Sequence, residues 1–252
     1  MGINAIKKKL WEPVAIYPLA GFRVLFGAAM VLSTLRFILL GWVEDHYLEP
    51  LMHFHYFGFS WIEPGPAWWM YGAHVLLILA SLGVMFGWYY RLSAALQFVL
   101  FTYTELIDLT YYLNHYYYVS LISFLLLFLP ANRHFSLDVR WRKLEAYSQV
   151  PRWMPGSLMA MMAIVYTYAG LAKINYDWLI EAQPLQIWLP ASNDVPVLGA
   201  LFGWHYAPWL FSWAGMIYDC SIAFLLWNKR TRVWAYLSVI LFHTLTGILF
   251  QI

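Results

Sequence analysis

The sequence predicts an all-α fold, a polytopic bundle of about seven transmembrane helices with a cytoplasmic N-terminus. Three observations predict it. Hydrophobic side chains make up 62% of the 252 residues and charged ones 11%, whereas soluble domains are about half apolar and a quarter charged. Aromatic residues make up 20%, and Trp and Tyr favour membrane interfaces. Seven apolar stretches approach the ~20 residues that a helix needs to cross a bilayer. A water-soluble fold is therefore excluded, and the net charge of +2 gives no reason to expect nucleic-acid binding.

The seven stretches are predicted to be helices because none alternates between apolar and polar residues as a membrane β-strand does. In chain order they are Tyr17–Leu40, Ala67–Trp88, Leu92–Asp108, Tyr111–Leu129, Ser157–Lys173, Pro208–Trp227 and Val233–Ile252.

Ionisable residues inside these stretches need an explanation, because charge is costly within a bilayer. The first stretch carries Arg23 near its inner end and Arg36 near its outer end, and both side chains are expected to snorkel to the nearer interface. His74 and His243 are expected to be hydrogen-bonded packing residues. Asp219, midway along the sixth stretch, needs a partner or a proton.

The basic residues orient the bundle, because cytoplasmic loops carry the excess of Lys and Arg. The predicted outer loops (42–66, 109–110 and 174–207) contain none. The inner loop 131–156 interleaves basic and apolar residues, which predicts a short interfacial amphipathic helix. The inner segments hold twelve of the 15 basic residues, namely Lys7, Lys8, Lys9, Arg91, Arg133, Arg140, Arg142, Lys143, Arg152, Lys229, Arg230 and Arg232.

Candidate functional residues come from the fourth and fifth stretches. The fourth reaches ~20 residues only if 111–113 are included, which puts Asn114 and His115 about one turn below the outer boundary. The fifth must run to about Tyr176 to cross, so Lys173 lies at a similar depth on the same side. The two counts predict that these polar residues face the same layer of the membrane.

Lys173 has three possible roles on spacing alone. Gly170, Ala169 and Tyr166 share its helical face and leave space for a neighbouring helix or a flat ligand. Desolvation there disfavours a charged lysine, which would suit a general base. Alternatively, Lys173 snorkels to the outer interface, or it pairs with Asp177 at i+4 and stays charged.

The first outer loop contains His46, His53 and His55 among many aromatic residues. Their spacing matches no strong ligand signature, so no metal is predicted. The loop is instead predicted to be an interfacial or re-entrant cap.

Two long motifs resemble the vitamin K-dependent γ-carboxylase family, whose membrane part is the HTTM domain. They are VYTYAGLAKINYDWLIEAQPLQIWL at 165–189 and LNHYYYVSLISFLLLFLPANRHFSLD at 113–138. Weaker likeness extends from about Val14 over nearly the whole chain, and the close match is to bacterial members. The resemblance implies one HTTM-like transmembrane domain over 1–252, lacking the extramembrane domain into which family members usually continue.

The resemblance also implies roles for individual residues. Lys173 corresponds to the family's base that deprotonates vitamin K hydroquinone, and the asparagine–histidine pair placed at the quinone ring corresponds to Asn114 and His115. The implied site has Lys173 and His115 as catalytic residues, Asn114, His115, Tyr118, Tyr166 and Gly170 as quinol-binding residues, and Asp177, Trp178 and His243 in supporting positions.

The activity implied by the resemblance is that of a carbon–carbon lyase. A quinol (vitamin K hydroquinone or menaquinol) is oxidised by O2 to the epoxide, and this is coupled to carboxylation of glutamyl residues by CO2. The implied partners are a lipid-soluble quinol and a glutamate-containing peptide or protein, with no nucleic acid. The expected location is the bacterial inner membrane, with the active site toward the periplasm. The alternative is a non-enzymatic membrane protein that binds a quinone or lipid, or acts as a scaffold.

Overall fold

Helices make up most of the computed structural model, which describes residues 3–192 and 199–250. The helices are α1 (Ile3–Leu10), α2 (Tyr17–Leu39), α3 (Ala67–Phe86), α4 (Tyr90–Leu106), α5 (Asn114–Leu126), α6 (Leu137–Arg140), α7 (Trp153–Ala172), α8 (Tyr176–Leu179), α9 (Leu185–Ala191), α10 (Gly199–Phe202), α11 (Ala207–Trp227) and α12 (Arg232–Phe250). Two short strands, β1 (Pro13–Ala15) and β2 (Gln149–Pro151), pair antiparallel with Val14 opposite Val150. A π-helical turn covers Glu44–Leu48, and 3₁₀ turns cover Leu109–Tyr111 and Ala131–Arg133.

Four of the described helices are long and apolar enough to cross a membrane, judged by length and composition: α2, α3, α7 and α11. These match the first, second, fifth and sixth predicted stretches. The other three stretches fall on α4, α5 and α12, of which α4 has 17 residues and α5 has 13. The all-α class is confirmed, while the number of seven spans and the cytoplasmic N-terminus stay predictions.

The chain forms two compact units, 1–156 and 157–252, and each is described by itself. In the first unit α2 packs on α3, α3 on α4 and α4 on α5. α2 and α3 approach closely at Gly27, where a Cβ would lie 2.6 Å from the backbone nitrogen of Met85. α3 ends at Gly87, whose φ of +63° is the left-handed conformation that glycine adopts at helix ends.

The snorkelling predicted for Arg23 is wrong. Its side chain is fully buried, and its guanidinium donates to the carbonyls of Val84 (2.7 Å), Met85 (2.5 Å), Ala131 (3.2 Å) and Phe135 (2.6 Å). The first two carbonyls belong to the last turn of α3, where helix carbonyls lack partners within the helix. Arg23 therefore holds the end of α3 and the segment 131–135 together, and five donors in a planar fork suit it to this role.

The inner loop forms one short helix, α6 (Leu137–Arg140), where a short helix was predicted, and its interfacial position stays a prediction; most of 131–152 lies outside α-helix. The loop is organised by Asp138, whose buried carboxylate accepts from the backbone N–H groups of Tyr89 (2.9 Å) and Tyr90 (3.1 Å). Asn132 and Arg142 donate to the same carboxylate. A carboxylate at the first turn of α4 complements the positive end of the helix dipole.

The second unit packs its short helices on α11. α8, α9, α10 and α12 all contact this helix, and the buried core between them consists of Leu185, Leu189, Phe202 and Ala207. The segment that follows α7 therefore packs on α11.

Candidate functional site

Lys173 lies at the end of a membrane helix and contacts a buried carboxylate on another helix. α7 ends at Ala172, so Lys173 is the first residue of the turn that follows. Its Nζ lies 2.6 Å from Oδ2 of Asp219 and 3.3 Å from the carbonyl oxygen of Ala169. The ring of Trp178 lies 5.3 Å from Nζ, within the range of a cation–π contact.

The pairing predicted as an alternative, with Asp177, does not form; Asp219 takes its place. Asp177 is exposed in α8, whereas Asp219 lies midway along α11 and its side chain is 7% exposed. The Lys173 side chain keeps 22% of its surface exposed. Asp219 is therefore the more buried partner of the pair, and Lys173 is the more exposed one.

Gly170 allows the two helices to approach closely enough for this ion pair. It is buried one turn before Lys173, and a Cβ at this position would lie 2.5 Å from Sγ of Cys220 and 2.7 Å from its backbone nitrogen. Contacts under 3.0 Å are not tolerated by real Cβ atoms. The space beside Lys173 was predicted to hold either a neighbouring helix or a flat ligand. At Gly170 a neighbouring helix, α11, occupies it.

The turn that carries Lys173 is fixed on both sides. The Asn175 side chain accepts from the backbone N–H of Trp178 and caps α8. The Trp178 indole donates to the carbonyl of Ser212 at 2.9 Å, and the Ser212 hydroxyl donates back to the carbonyl of Trp178. The indole of Trp213 donates to the next carbonyl along the chain, that of Leu179. These bonds tie the K-x-N-x-D-W segment to α11 and orient Lys173.

Tyr166 and His243 form a second polar contact in the same unit. The Tyr166 hydroxyl lies 2.7 Å from Nε2 of His243. The ring of Tyr218 lies edge-on to Tyr166 and stacks on Phe242 at 4.1 Å. His243 thus makes the hydrogen bond expected of it, with a tyrosine on the helix face that also bears Lys173.

Asn114 and His115 are the first two residues of α5, because the chain is extended at Leu113. The helix thus begins three residues later than the predicted stretch, and the depth of the two residues below the membrane boundary stays a prediction. Oδ1 of Asn114 accepts from the hydroxyl of Tyr112 at 3.0 Å, and the ring of His115 lies edge-on to that of Tyr116 at 4.6 Å. Both side chains are exposed, as is expected of residues that present polar groups to a ligand.

The predicted site residues divide between the two units. Lys173, Gly170, Trp178, Tyr166 and His243 belong to the second unit, where Lys173 lies beside Gly170 and Trp178, and Tyr166 contacts His243. Asn114, His115 and half-buried Tyr118 belong to the first unit. The convergence of the two groups on one ligand stays a prediction.

Asp219 is the functional residue that sequence reasoning did not assign to the site. A signal was present, because an aspartate midway along an apolar stretch requires a partner. Lys173, at the end of another apolar stretch, also requires a partner, and its charge is opposite to that of Asp219.

The three histidines of the first outer loop have separate surroundings. Nδ1 of His53 lies 3.1 Å from Oδ2 of Asp108, Nε2 of His55 lies 3.1 Å from Glu63, and the ring of His46 stacks on Tyr111 at 3.9 Å. Within the described ranges, no group of three or more His, Cys, Asp or Glu side chains is arranged to hold a metal ion.

Comparison with known proteins gives one positive result. The family model described as the HTTM domain matches residues 11–252, which is nearly the whole chain. No solved structure matches it. This match agrees with the resemblance carried by the two long motifs.

Proposed function

The chain belongs to the HTTM domain family of vitamin K-dependent carboxylase-related proteins, and from this premise we propose that it is a membrane enzyme that oxidises a quinol with O2. Four apolar helices and the HTTM domain fit an integral membrane protein. The observation that carries the proposal is the Lys173–Asp219 pair, in which a partly exposed lysine at the end of a membrane helix contacts a buried carboxylate.

The residues around Lys173 suit a quinol. A quinol offers hydroxyl groups on a flat aromatic ring, so it needs a proton acceptor with aromatic surface beside it. Nζ of Lys173 can reach a hydroxyl, while Trp178 at 5.3 Å and Tyr166 on the same helix face supply aromatic surface. The resemblance assigns Asn114 and His115 to hydrogen-bonding of the quinol ring.

Lys173 would act as the general base. Its base form is the neutral amine, which arises when the ammonium of the Lys173–Asp219 pair releases a proton to water. Uptake of a hydroxyl proton at Nζ converts the two into an ammonium–carboxylate pair, and the 2.6 Å contact stabilises that product. General bases of this kind accelerate reactions about 10²- to 10⁴-fold. The deprotonated quinol supplies four electrons to O2, so that one oxygen atom ends in the quinone epoxide and the other leaves as water.

The membrane setting would protect this chemistry. A site near the membrane surface admits a lipid-soluble quinol and limits access of water, which strengthens electrostatic interactions and prevents side reactions. The proposed location is the bacterial inner membrane with the site toward the periplasm, as the absence of Lys and Arg from the predicted outer loops suggests.

Carboxylation of glutamyl side chains by CO2 is the second half of the proposed reaction, which would place the protein among carbon–carbon lyases. Family membership supports this step. A glutamate-containing peptide or protein would be the substrate, and menaquinol or reduced vitamin K the quinol.

An oxygen electrode tests the proposal. The protein in nanodiscs with reduced menaquinone is expected to consume O2 and to yield the epoxide by mass spectrometry, and Lys173→Ala is expected to lose both. Lys229→Ala, a change at an exposed lysine of the same unit, is the matched control and should retain activity. Epoxide formation in Lys173→Ala at the wild-type rate would refute the proposal.

A non-enzymatic role is the second candidate, and the same ion pair favours it. A lysine that permanently neutralises Asp219 would stabilise the contact between α7 and α11 without any chemistry. The protein would then bind quinone or lipid, or act as a scaffold, and would consume no O2 with quinol present. Quinone binding that is unchanged in Lys173→Ala would support this role.

A further inference from the structure

The first unit contains a cavity that the proposed quinol chemistry does not use. Its volume is about 270 Å³, and residues at the end of α2, in the π-helical turn and in 104–116 line it. A smaller cavity of about 30 Å³ shares part of this lining. Glu105, near the end of α4, lines both cavities.

Aromatic rings form one wall of the larger cavity. Phe37 lies at the centre of a cluster, with ring centroids 5.2 Å from His46, 5.5 Å from Trp42 and 6.0 Å from Tyr47. Tyr111 stacks on the other side of this cluster, 3.9 Å from His46. All five of these residues line the cavity. Aromatic rings have negative π-faces, so a wall built of several rings can attract a cation.

The cavity contains two acidic groups. Glu105 and Asp108 line it, and no lysine or arginine does so in the part of the chain that the structure describes. His46 stays neutral near pH 7, because burial lowers the pKa of its imidazole. Asp108 accepts hydrogen bonds from the backbone N–H and hydroxyl of Thr110 and lies 3.1 Å from His53.

Glu105, in contrast, has no hydrogen bond or ion pair to any residue that the structure describes. The arginine that contacts the aromatic cluster, Arg36, lies outside the cavity lining with its guanidinium 5.1 Å from the Trp42 ring. A half-buried carboxylate without a partner is costly, and a cation beside it would remove that cost.

We propose that this cavity binds an organic ammonium group, which contacts the aromatic wall and pairs with the Glu105 carboxylate. Aromatic cages with a nearby carboxylate are suited to quaternary ammonium ions, because cation–π attraction and charge pairing act together. The lining disfavours anions. The ammonium group comes either from a free molecule or from a lipid headgroup at the membrane surface, and the experiment below separates the two sources.

Binding of radiolabelled choline by the full chain in phosphatidylglycerol nanodiscs tests the proposal. Choline is expected to bind saturably, and its neutral isostere 3,3-dimethylbutan-1-ol to compete at least about tenfold more weakly. Glu105→Gln is expected to weaken choline binding by about tenfold or more. Glu49→Gln, at an exposed carboxylate of the first outer loop, is the matched control and should bind as wild type does.

The comparison of the two ligands uses wild-type protein, so it holds even if Glu105→Gln fails to fold. Equal competition by the isostere, or no saturable binding in phosphatidylglycerol, overturns the proposal. Displacement of choline by menaquinol with no dependence on Glu105 also overturns it, since the cavity would then take a neutral ligand. Weaker binding of free choline in phosphatidylcholine nanodiscs supports the proposal and assigns the site to a lipid headgroup.

Discussion

Replacement of Gly170 by alanine should separate α7 from α11 and destabilise the second unit. The added Cβ would lie 2.5 Å from Sγ of Cys220 and 2.7 Å from its backbone nitrogen. Non-bonded atoms settle at about 3.5–4.0 Å, so the helices must move apart by about 1 Å at this point. The backbone nitrogen belongs to α11 and cannot rotate away as a side chain would.

The cost of this change can be estimated by comparison with a matched glycine. Inserting a methyl group into a well-packed contact costs about 1–3 kcal/mol, while replacing a helical glycine by alanine gains up to about 1 kcal/mol. Gly156 lies in the same helix and has nothing within 4 Å of an added Cβ. The gain in helix propensity is common to both variants, so Gly170→Ala should be about 1–3 kcal/mol less stable than Gly156→Ala.

Thermal unfolding in detergent measures this difference. At about 2–4 °C for each kcal/mol in a chain of this size, the Tm of Gly170→Ala should lie roughly 2–12 °C below that of Gly156→Ala. The chain has one cysteine, Cys220, so a maleimide dye reports exposure of the contact itself, and light scattering provides an independent signal. The 2.6 Å contact between Lys173 and Asp219 should lengthen as well, with a parallel loss of quinol-dependent O2 uptake. Equal Tm values for the two variants would show that the helices do not meet at Gly170.

Three further predictions follow from other contacts. Asp219→Asn should lower quinol-dependent O2 uptake by about 10²-fold, because the amide cannot stabilise the ammonium formed on proton uptake, whereas Asp177→Asn should stay within a few-fold of wild type in the same oxygen-electrode assay. Arg23→Met should lower the free energy of unfolding by at least about 3 kcal/mol, because it leaves four carbonyls without their donor. Fluorescence-detected gel filtration should show that this variant loses the monodisperse peak, while the control variant Arg36→Met keeps it. Burial acts to raise the pKa of Asp138, but its hydrogen bonds outweigh burial and hold the pKa below the usual 3.8. The resulting stabilisation is therefore present above the unfolded-state pKa and is lost as the pH falls through the lower folded-state pKa. The Tm of the wild-type protein should therefore decrease when the pH is lowered below about 4, and the Tm of Asp138→Asn should decrease less steeply.

The helical elements were predictable because hydropathy acts on consecutive residues. Each of the seven apolar stretches coincides with a helix, although the ends differ by several residues. Asn114 shows why the ends are less secure. The count that placed it inside a helix assumed a full-length span, but α5 is 13 residues long and starts at this residue. A short helix preceded by extended chain leaves no trace in a hydropathy average.

Contacts between distant residues were not predictable from spacing. Lys173 and Asp219 are 46 positions apart, whereas spacing along one helix points only to the residue at i+4, Asp177. Arg23 was misassigned for a related reason. Its acceptors are backbone carbonyls at the end of α3 and in 131–135, and no side chain in the sequence marks them. Polar residues within apolar stretches indicate that partners exist, but the fold decides which partners they are.

The order in which the chain is synthesised gives the Lys173–Asp219 pair a role in membrane insertion. A charged residue at the centre of a membrane helix costs about 2.5–3.5 kcal/mol when the helix enters the bilayer through the insertion machinery. Asp219 lies midway along α11, whereas Lys173 follows the last residue of α7 and costs less. Lys173 is synthesised before Asp219, which follows 46 residues later in the chain. Neutralising the charges against each other lowers the cost for both segments together, so α11 should help α7 to remain inserted. Removing either charged partner would then reduce the yield of correctly inserted protein before any question of activity arises.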